Sequence, residues 1–324
     1  MEKRSDTDIS DSTFSGLSLS LHISDAKLSE LWRLDTIGIS SEENKTKSML
    51  EEETQKHFLE TVKRDNTGRY EVSLPWVTDS SVLPTHRPVF KESSETTKTR
   101  PVFNASARTK DSPSLNDCLA KGPNLIEIVP IILNRFRKYK VGLSSDIETA
   151  FCQIKIADKD RDFLRFLWFD SDKNLKTYRH NRVVFGLTSS PFRLAATLNH
   201  LLNAVPGHLS ETSLILIDSF YIDNSLVSLD QIVETEKFIS EAKEILSSAH
   251  FNLRCRRSNI SVPMIDSTES KSQFVPVLRL IWDTQKDTLN CKITEPAQIK
   301  EPYTKRQILA ATQKIYDPIG FTAS

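Results

Sequence analysis

The chain has 324 residues, of which 38% are hydrophobic and 27% charged, as in an ordinary globular protein. Basic and acidic residues balance at 43 each, so the overall charge does not indicate a nucleic-acid binder, although a local basic patch is compatible with it. The chain does not open with a basic stretch followed by an apolar run, and no apolar run approaches ~18 residues. We therefore expect no signal peptide, no membrane span, and an intracellular, cytoplasmic protein.

The cysteine pattern gives no sign of a metal site. Cys118, Cys152, Cys255 and Cys291 have neither the CxxC spacing nor the histidine intervals of a zinc finger. We interpret them as reduced thiols that behave as small hydrophobic residues.

The N-terminal part differs in composition from the rest of the chain. Residues 1–20 are rich in Ser, Thr and Asp, which predicts disorder. Residues 28–39 have amphipathic helical spacing, and a charged helix is predicted over 48–62. We expect residues 1–65 to form a partly disordered, partly helical linker, followed by globular domains at 66–259 and 260–324.

Strands and helices alternate in the globular part. Strands are predicted over 70–76 and over 101–103, the latter within a locally basic stretch at 87–110. A further strand is predicted over 141–145 and ends at Asp146. Helices are predicted over 125–139, with a kink or restart at Pro130, over 190–202 and over 230–249. A hairpin is predicted from 163–169 and 178–185. An apolar strand over 214–217 continues to 222, turns at Asp223-Asn224 and returns over 225–227. This order is an α+β layout.

Two carboxylates follow apolar strands in this layout. Asp146 and Asp223 each stand where a strand ends, so both side chains could point into one cleft. Paired carboxylates there could hold two Mg²⁺ ions, about 3.5–4 Å apart, which activate a hydroxyl and stabilise a leaving pyrophosphate. Spacing alone favours the simpler interpretation, in which each aspartate forms a turn or caps a helix.

Several ordered motifs resemble those of reverse transcriptases. SDIETAF (145–151) resembles their first catalytic motif, FGLTSSPF (185–192) the second, and FYIDN (220–224) the YxDD box. Flanking blocks resemble the Pao/BEL class of LTR retrotransposon polyproteins: YEVSLPW (70–76), RPVFNASA (100–107), SLNDCL (114–119), FLRFLW (163–168), FNLR (251–254), RSN (257–259) and the 304–320 stretch ending in DPIG. The resemblance covers about residues 66–320.

This resemblance implies a right-hand polymerase fold with fingers, palm and a partial thumb or connection. It implies RNA-directed DNA synthesis from dNTPs on an RNA or DNA template-primer, with Mg²⁺, or alternatively Mn²⁺, as the cofactor. By position, Asp146 and Asp223 are catalytic metal ligands, and Asn224 is a weaker one. The family's protease, RNase H and integrase domains are not found in this sequence.

Four further positions have two interpretations each. Phe151 falls where the family has an aromatic gate against the ribose 2′-hydroxyl, or it packs in the core. Gly186 lets the backbone approach the nascent base pair, or it forms a simple turn. Arg100 neutralises the triphosphate, as Lys91 or Lys98 also could, or it lies in a solvated basic loop. Tyr221 packs beneath the primer terminus, or it is a buried strand tyrosine.

The sequence departs from the family pattern at three places. Asn224 replaces the second acid of the YxDD box, Arg279 stands where a glycine is usual, and Cys255-Arg256 replaces a pair that usually includes Trp. The loss of an acid predicts weaker metal binding or a lower rate. Three functions therefore stay open: a polymerase module, a remnant that binds nucleic acid without turnover, and an interaction protein that recruits partners through its N-terminal region.

Overall fold

A computed structural model describes residues 46–78, 89–91, 100–108, 112–265, 272–291, 304–306 and 318. The chain divides into two units after residue 46, and the described residues belong almost wholly to the second unit, residues 47–324. The predictions for residues 1–20, 28–39 and most of 304–320 lie outside the described residues. Among the described residues, no helix has the length and apolar character needed to cross a membrane.

The centre of the second unit is a four-stranded antiparallel sheet. Its strands are β5 (Val141–Glu148), β9 (Phe220–Tyr221), β10 (Asn224–Leu229) and β11 (Asn252–Ser258), in the order β11-β5-β10-β9. Strand β5 lies in the middle and alternates buried and partly exposed residues from Leu143 onward. This alternation is expected of a strand with one face in the core and one face towards a cleft.

Helices cover both faces of this sheet. The main core contains α1 (Lys47–Thr61), α3 (Ser190–Leu202), α4 (Ser210–Ile217) and α5 (Ile232–Ser247), which pack with Leu143 and Ile147 of β5. On the other face, α2 (Val129–Phe136) packs on Leu226 and Trp282 in a smaller cluster. Apolar residues at helical spacing in α2, α3 and α5 explain why each helix buries one side.

Smaller sheets surround the central one. They are β1 (Lys63–Arg64), β2 (Tyr70–Val72) and β6 (Lys155–Ile156); the hairpin of β3 (Val89–Lys91) and β4 (Arg100–Val102); the hairpin of β7 (Arg165–Phe169) and β8 (Leu175–Arg179); and β12 (Phe274–Val277), β13 (Leu280–Asp283) and β14 (Thr288–Cys291). Short 3₁₀ helices lie at Leu115–Asp117, Leu125–Ile128, Ala150–Gln153, Asp158–Leu164 and Gly207–Leu209.

Most predicted elements are present, with corrected bounds or type at several places. The strand predicted over 70–76 ends at Val72, and the strand predicted over 163–169 begins at Arg165, after a 3₁₀ helix. The predicted strand over 214–217 is the end of helix α4, because the structured segment starts earlier and only Leu216 of its apolar run is fully buried. Strand β8 spans Leu175–Arg179 instead of 178–185, because it pairs with the five residues of β7 directly after the 170–174 turn. Strand β5 continues two residues beyond Asp146, so Asp146 lies inside the strand and not at its end. The restart at Pro130 is confirmed, since a 3₁₀ turn precedes α2 and Pro130 lies in the first turn of that helix.

None of the four cysteines, all of which lie in the described part of the chain, forms a disulfide. Cys118 and Cys255 are buried and Cys291 is partly exposed, as expected of small hydrophobic residues. Cys152, however, is exposed.

Candidate active site

The two predicted catalytic aspartates lie at the same end of the central sheet. In the β10–β5 register, Asn224 stands directly opposite Asp146. The Ile147 N–H donates to the Asp223 carbonyl oxygen at 2.8 Å, which fixes the β9–β10 turn beside β5. Both aspartates are half-buried. The structure thus brings the backbones of two aspartates that are 77 residues apart in sequence next to each other at this end of the sheet.

The turn that carries Asp223 is held in an unusual backbone conformation. Ile222 has a φ of 60°, which is a left-handed conformation that a β-branched residue rarely adopts. Such strain persists only where the surroundings fix it, and here the β9–β10 pairs and the Ile147 hydrogen bond do so. The Asn224 side chain, which is exposed, donates from Nδ2 to Asp223 Oδ1 at 2.9 Å. Its Oδ1 is therefore the atom of Asn224 that could act as an acceptor or a ligand.

A basic residue of the neighbouring strand β11 contacts Asp146. In the β11–β5 register, Arg254 stands directly opposite Asp146. Its Nη2 lies 3.1 Å from Asp146 Oδ2, and its Nη1 lies 3.1 Å from Glu148 Oε1. Asn252 Nδ2 donates to the other oxygen of Glu148 at 2.8 Å. Because residues two apart in a strand share a face, Asp146 and Glu148 point to the same side.

The region of the second motif is built on Gly186. Its φ is +106°, and a Cβ there would lie 1.9 Å from the Phe103 carbonyl oxygen. The adjoining Phe185 carbonyl accepts the Phe103 N–H at 3.1 Å, so the two chain segments are in direct contact. Asn116 completes the junction: its Nδ2 donates to the Gly186 carbonyl at 3.0 Å and its Oδ1 accepts the Thr188 N–H at 2.9 Å. A glycine is therefore required here by backbone approach within the protein.

Phe151 lies next to this junction. Its ring packs edge-on against Phe185 with a centroid distance of 4.8 Å, and only 6% of the residue is exposed. Most of the Phe151 side chain is therefore buried in the core. A role as a gate is left to the small exposed part of the ring and stays a prediction.

The start of helix α3 is fixed by polar contacts of its two serines. Ser190 Oγ donates to the Val184 carbonyl at 2.8 Å, and Ser189 Oγ accepts from Arg193 Nη2 at 2.7 Å. Arg193 is 1% exposed, and its burial lowers the pKa of the guanidinium to about 9, against the opposing effect of the Asp160 charge. Asp160 is also buried and accepts from the Leu74 N–H and from Trp76 Nε1. Asp160 thus holds the 74–76 segment by two hydrogen bonds, and its charge acts on the buried guanidinium of α3.

The remaining predicted residues are placed as follows. Tyr221 is half-buried in β9 and packs against the small cluster around α2 and Trp282. Arg100 begins β4 and stands opposite Lys91 of β3 in the β3–β4 hairpin, where only the backbone is described. Lys98 lies outside the described residues. The structure therefore places Tyr221 next to the turn of the site and leaves the role of Arg100 as a prediction.

Comparison with known proteins identifies the family. Residues 89–287, well over half of the chain, match the family model described as "Reverse transcriptase (RNA-dependent DNA polymerase)". The chain belongs to the reverse transcriptase family. No curated protein matches it in sequence.

Solved structures of foamy viral protease-reverse transcriptase are among those similar to this reverse transcriptase chain. One, in complex with double-stranded DNA, is 16% identical with a TM-score of 0.45, covering 79% of this chain and 37% of that one. Another, in complex with an RNA/DNA hybrid, is 16% identical with a TM-score of 0.42, covering 70% and 26%. The chain spans less than half the length of these solved proteins. Its α+β layout is that of a reverse transcriptase fold.

The donor set of this reverse transcriptase site suits a hard divalent cation. Among the described residues, no group of three or more His, Cys, Asp and Glu side chains is arranged to hold a metal ion. Asp146 and Asp223 nevertheless offer carboxylate oxygens at one end of the sheet, and Asn224 adds an amide oxygen. Mg²⁺ is commonly bound by one or two carboxylates together with waters and substrate phosphates. The residues present therefore fit a divalent cation whose remaining ligands are waters or phosphate oxygens.

Sequence reasoning missed Glu148, Asn252, Arg254 and Asn116. Glu148 was missed because the predicted strand stopped before it. A strand continued by two residues would have placed Glu148 on the face of Asp146 by simple alternation. Arg254 lies within the FNLR block, but only the pairing of β11 with β5 shows that it reaches the site.

Proposed function

We propose that this reverse transcriptase domain is an RNA-directed DNA polymerase that transfers a nucleotidyl group from a dNTP to a primer 3′-hydroxyl with the help of two Mg²⁺ ions. The observation that supports the proposal is that Asp146 and Asp223 lie next to each other at one end of the central sheet. The β10–β5 register and the 2.8 Å hydrogen bond from Ile147 to Asp223 produce this arrangement.

Each residue of the site has a separate task in this proposal. Asp146 and Asp223 hold the divalent cations, which when bound lower the pKa of the attacking hydroxyl and neutralise the leaving pyrophosphate. Gly186 and Asn116 set the path of the chain beside the nascent base pair. Tyr221 supports the turn from beneath, next to the primer terminus. Arg100 neutralises the triphosphate, and the exposed edge of Phe151 disfavours a ribose 2′-hydroxyl.

We propose further that the protein is the reverse transcriptase region of a Pao/BEL-class retrotransposon polyprotein. Support comes from the number of ordered blocks that resemble this class, from residue 70 to residue 320. The domain limits proposed with it are 66–259 for fingers and palm and 260–324 for the beginning of a thumb or connection. The partners are an RNA or DNA template-primer and dNTPs.

Primer extension on an RNA template with Mg²⁺ tests the activity. We expect dNTP incorporation by the chain as it stands and no incorporation by Asp146→Ala or Asp223→Ala. Asp230→Ala is the matched control, because Asp230 follows the other end of β10, is half exposed and pairs with the exposed Lys140 at 3.4 Å. A folded protein that incorporates no nucleotide with either Mg²⁺ or Mn²⁺ contradicts the proposal.

One observation favours a second function, which is nucleic-acid binding without turnover. Asn224 lacks the charge of the second acid, and its amide donates to Asp223 Oδ1, which occupies part of that carboxylate. In this case the chain binds a primer-template in a salt-dependent manner and shows no extension. Asn224→Asp discriminates between the two functions. If the chain is an impaired polymerase, the substitution raises a primer-extension rate that is already measurable. If the chain only binds nucleic acid and Asn224 alone is the defect, the substitution restores primer extension.

A further inference from the structure

The three strands that meet at the site place three polar side chains in one row. Asn224 of β10, Asp146 of β5 and Arg254 of β11 are directly opposite one another in the two registers. Side chains at directly opposed positions of an antiparallel pair point to the same face. Asp146 therefore has a neutral amide on one side and a guanidinium on the other.

This row carries no net charge. The single negative charge of Asp146 is balanced by Arg254, whose Nη2 lies 3.1 Å from Asp146 Oδ2. The Asp146 side chain is 21% exposed and that of Arg254 is 32% exposed, so water screens the pair only in part. A cation that approaches Asp146 therefore meets a carboxylate that is already paired.

Arg254 has a second anchor within the same site. Its Nη1 lies 3.1 Å from Glu148 Oε1, and Glu148 is held in turn by Asn252. The Nε atom of Arg254 is buried and has no hydrogen-bond partner among the described residues. The guanidinium thus has an unused hydrogen-bond donor in this position. Its ion pair with Glu148 can hold it at the site when Asp146 binds a metal cation instead.

We propose that Arg254 is a built-in counter-ion of Asp146, which pairs with this carboxylate in the metal-free protein and competes with the divalent cation for it. The inference rests on the proposed function, because it takes Asp146 as a metal ligand. Arg254 is a positioning residue: it acts through Asp146 and moves its contact to Glu148 when the cation is bound. With Asn224 it sets a low affinity for metal until a substrate brings its own phosphates.

The test is a titration of the full chain with Mn²⁺, without nucleic acid or dNTP, in which free Mn²⁺ is followed by electron paramagnetic resonance. We expect Arg254→Gln to lower the dissociation constant about tenfold, since a unit charge and a dication a few ångströms apart in a solvated site repel by roughly this factor. Arg254→Met, which keeps the aliphatic stem, should do the same. Arg254→Lys should stay close to the original affinity.

Two controls restrict the effect to this site. Arg135→Gln removes an arginine that pairs with Asp218 at 2.9 Å outside the site, and it should leave Mn²⁺ binding unchanged. Asp146→Asn in the Arg254→Gln background should abolish the gain in affinity. Thermal melting of each variant shows that it is folded at the temperature of the titration.

The outcomes separate this inference from the proposed function. Unchanged or weaker Mn²⁺ binding by folded Arg254→Gln and Arg254→Met overturns the counter-ion role, whether or not the chain extends a primer. A gain that survives Asp146→Asn also overturns it. Tighter binding that depends on Asp146 supports the role, even where primer extension shows that the polymerase proposal is wrong.

Discussion

Gly186 provides the sharpest test of how the second motif is built. Its φ of +106° lies in a region that residues other than glycine rarely adopt. A Cβ at this position would lie 1.9 Å from the Phe103 carbonyl oxygen. That oxygen belongs to the backbone, so it cannot move without displacing Phe103, which is 3% exposed and part of the main core. Gly186→Ala should therefore disturb the junction of two chain segments.

The size of the effect follows from two contributions. A left-handed backbone costs an alanine ~1–2 kcal/mol. Separation of the two segments weakens the hydrogen bonds from Phe103 to Phe185 and from Asn116 to Gly186, at ~1 kcal/mol each. We expect the free energy of unfolding to fall by about 3–4 kcal/mol, which is a large part of the stability of a typical domain.

Urea unfolding of the full chain, followed by tryptophan fluorescence, measures this change. Gly207→Ala is the matched control, because a Cβ at Gly207 would meet no described atom within 4 Å and its φ is not in the left-handed region. It should change the free energy of unfolding by no more than ~0.5 kcal/mol. If the two variants unfold within about 1 kcal/mol of each other, the argument for close backbone approach at Gly186 is wrong.

Two further predictions concern stability. Burial lowers the pKa of His180 below its usual 6.5, and the ring stacks on Phe166 at 4.5 Å. The unfolded chain then binds the proton more readily, so the free energy of unfolding should fall as the pH drops from 7.5 to 5.5; His180→Gln should flatten this dependence, and an equally steep one contradicts the assignment. Leu278 and Arg279 both have positive φ in the tight β12–β13 turn, at 44° and 69°. Arg279→Gly should therefore raise the free energy of unfolding by ~0.5–1 kcal/mol and with it the melting temperature measured by calorimetry. A lower melting temperature shows that the contacts of the Arg279 side chain stabilise the fold by more than the backbone strain costs.

The departure at residue 279 illustrates what sequence comparison can and cannot explain. The family pattern indicated a glycine at this position without giving a reason. The structure supplies the reason, because a two-residue hairpin turn with positive φ at both positions favours glycine. Arg279 is thus a residue that the turn tolerates at a cost in backbone strain.

Local signals were sufficient for most of the helices and for the order of the motifs. Periodic apolar residues over 190–202 and 230–249 predicted α3 and α5, because a helix that covers a sheet must bury one face. The run at 214–217 was assigned wrongly, since four consecutive apolar residues are compatible with a buried strand or with one turn of helix. The packing of the segment against the rest of the core, and not the apolar run itself, decides between strand and helix.

The sequence alone determined the reverse transcriptase family, the α+β layout and the positions of Asp146 and Asp223, because these depend on short motifs and their order. Only the tertiary structure decided which residues surround Asp146. The pairing of β5 with β10 and β11 joins segments about 80 and 110 residues apart, and such long-range registers leave no local signal. That pairing placed Asn224 on one side of the carboxylate and Arg254 on the other.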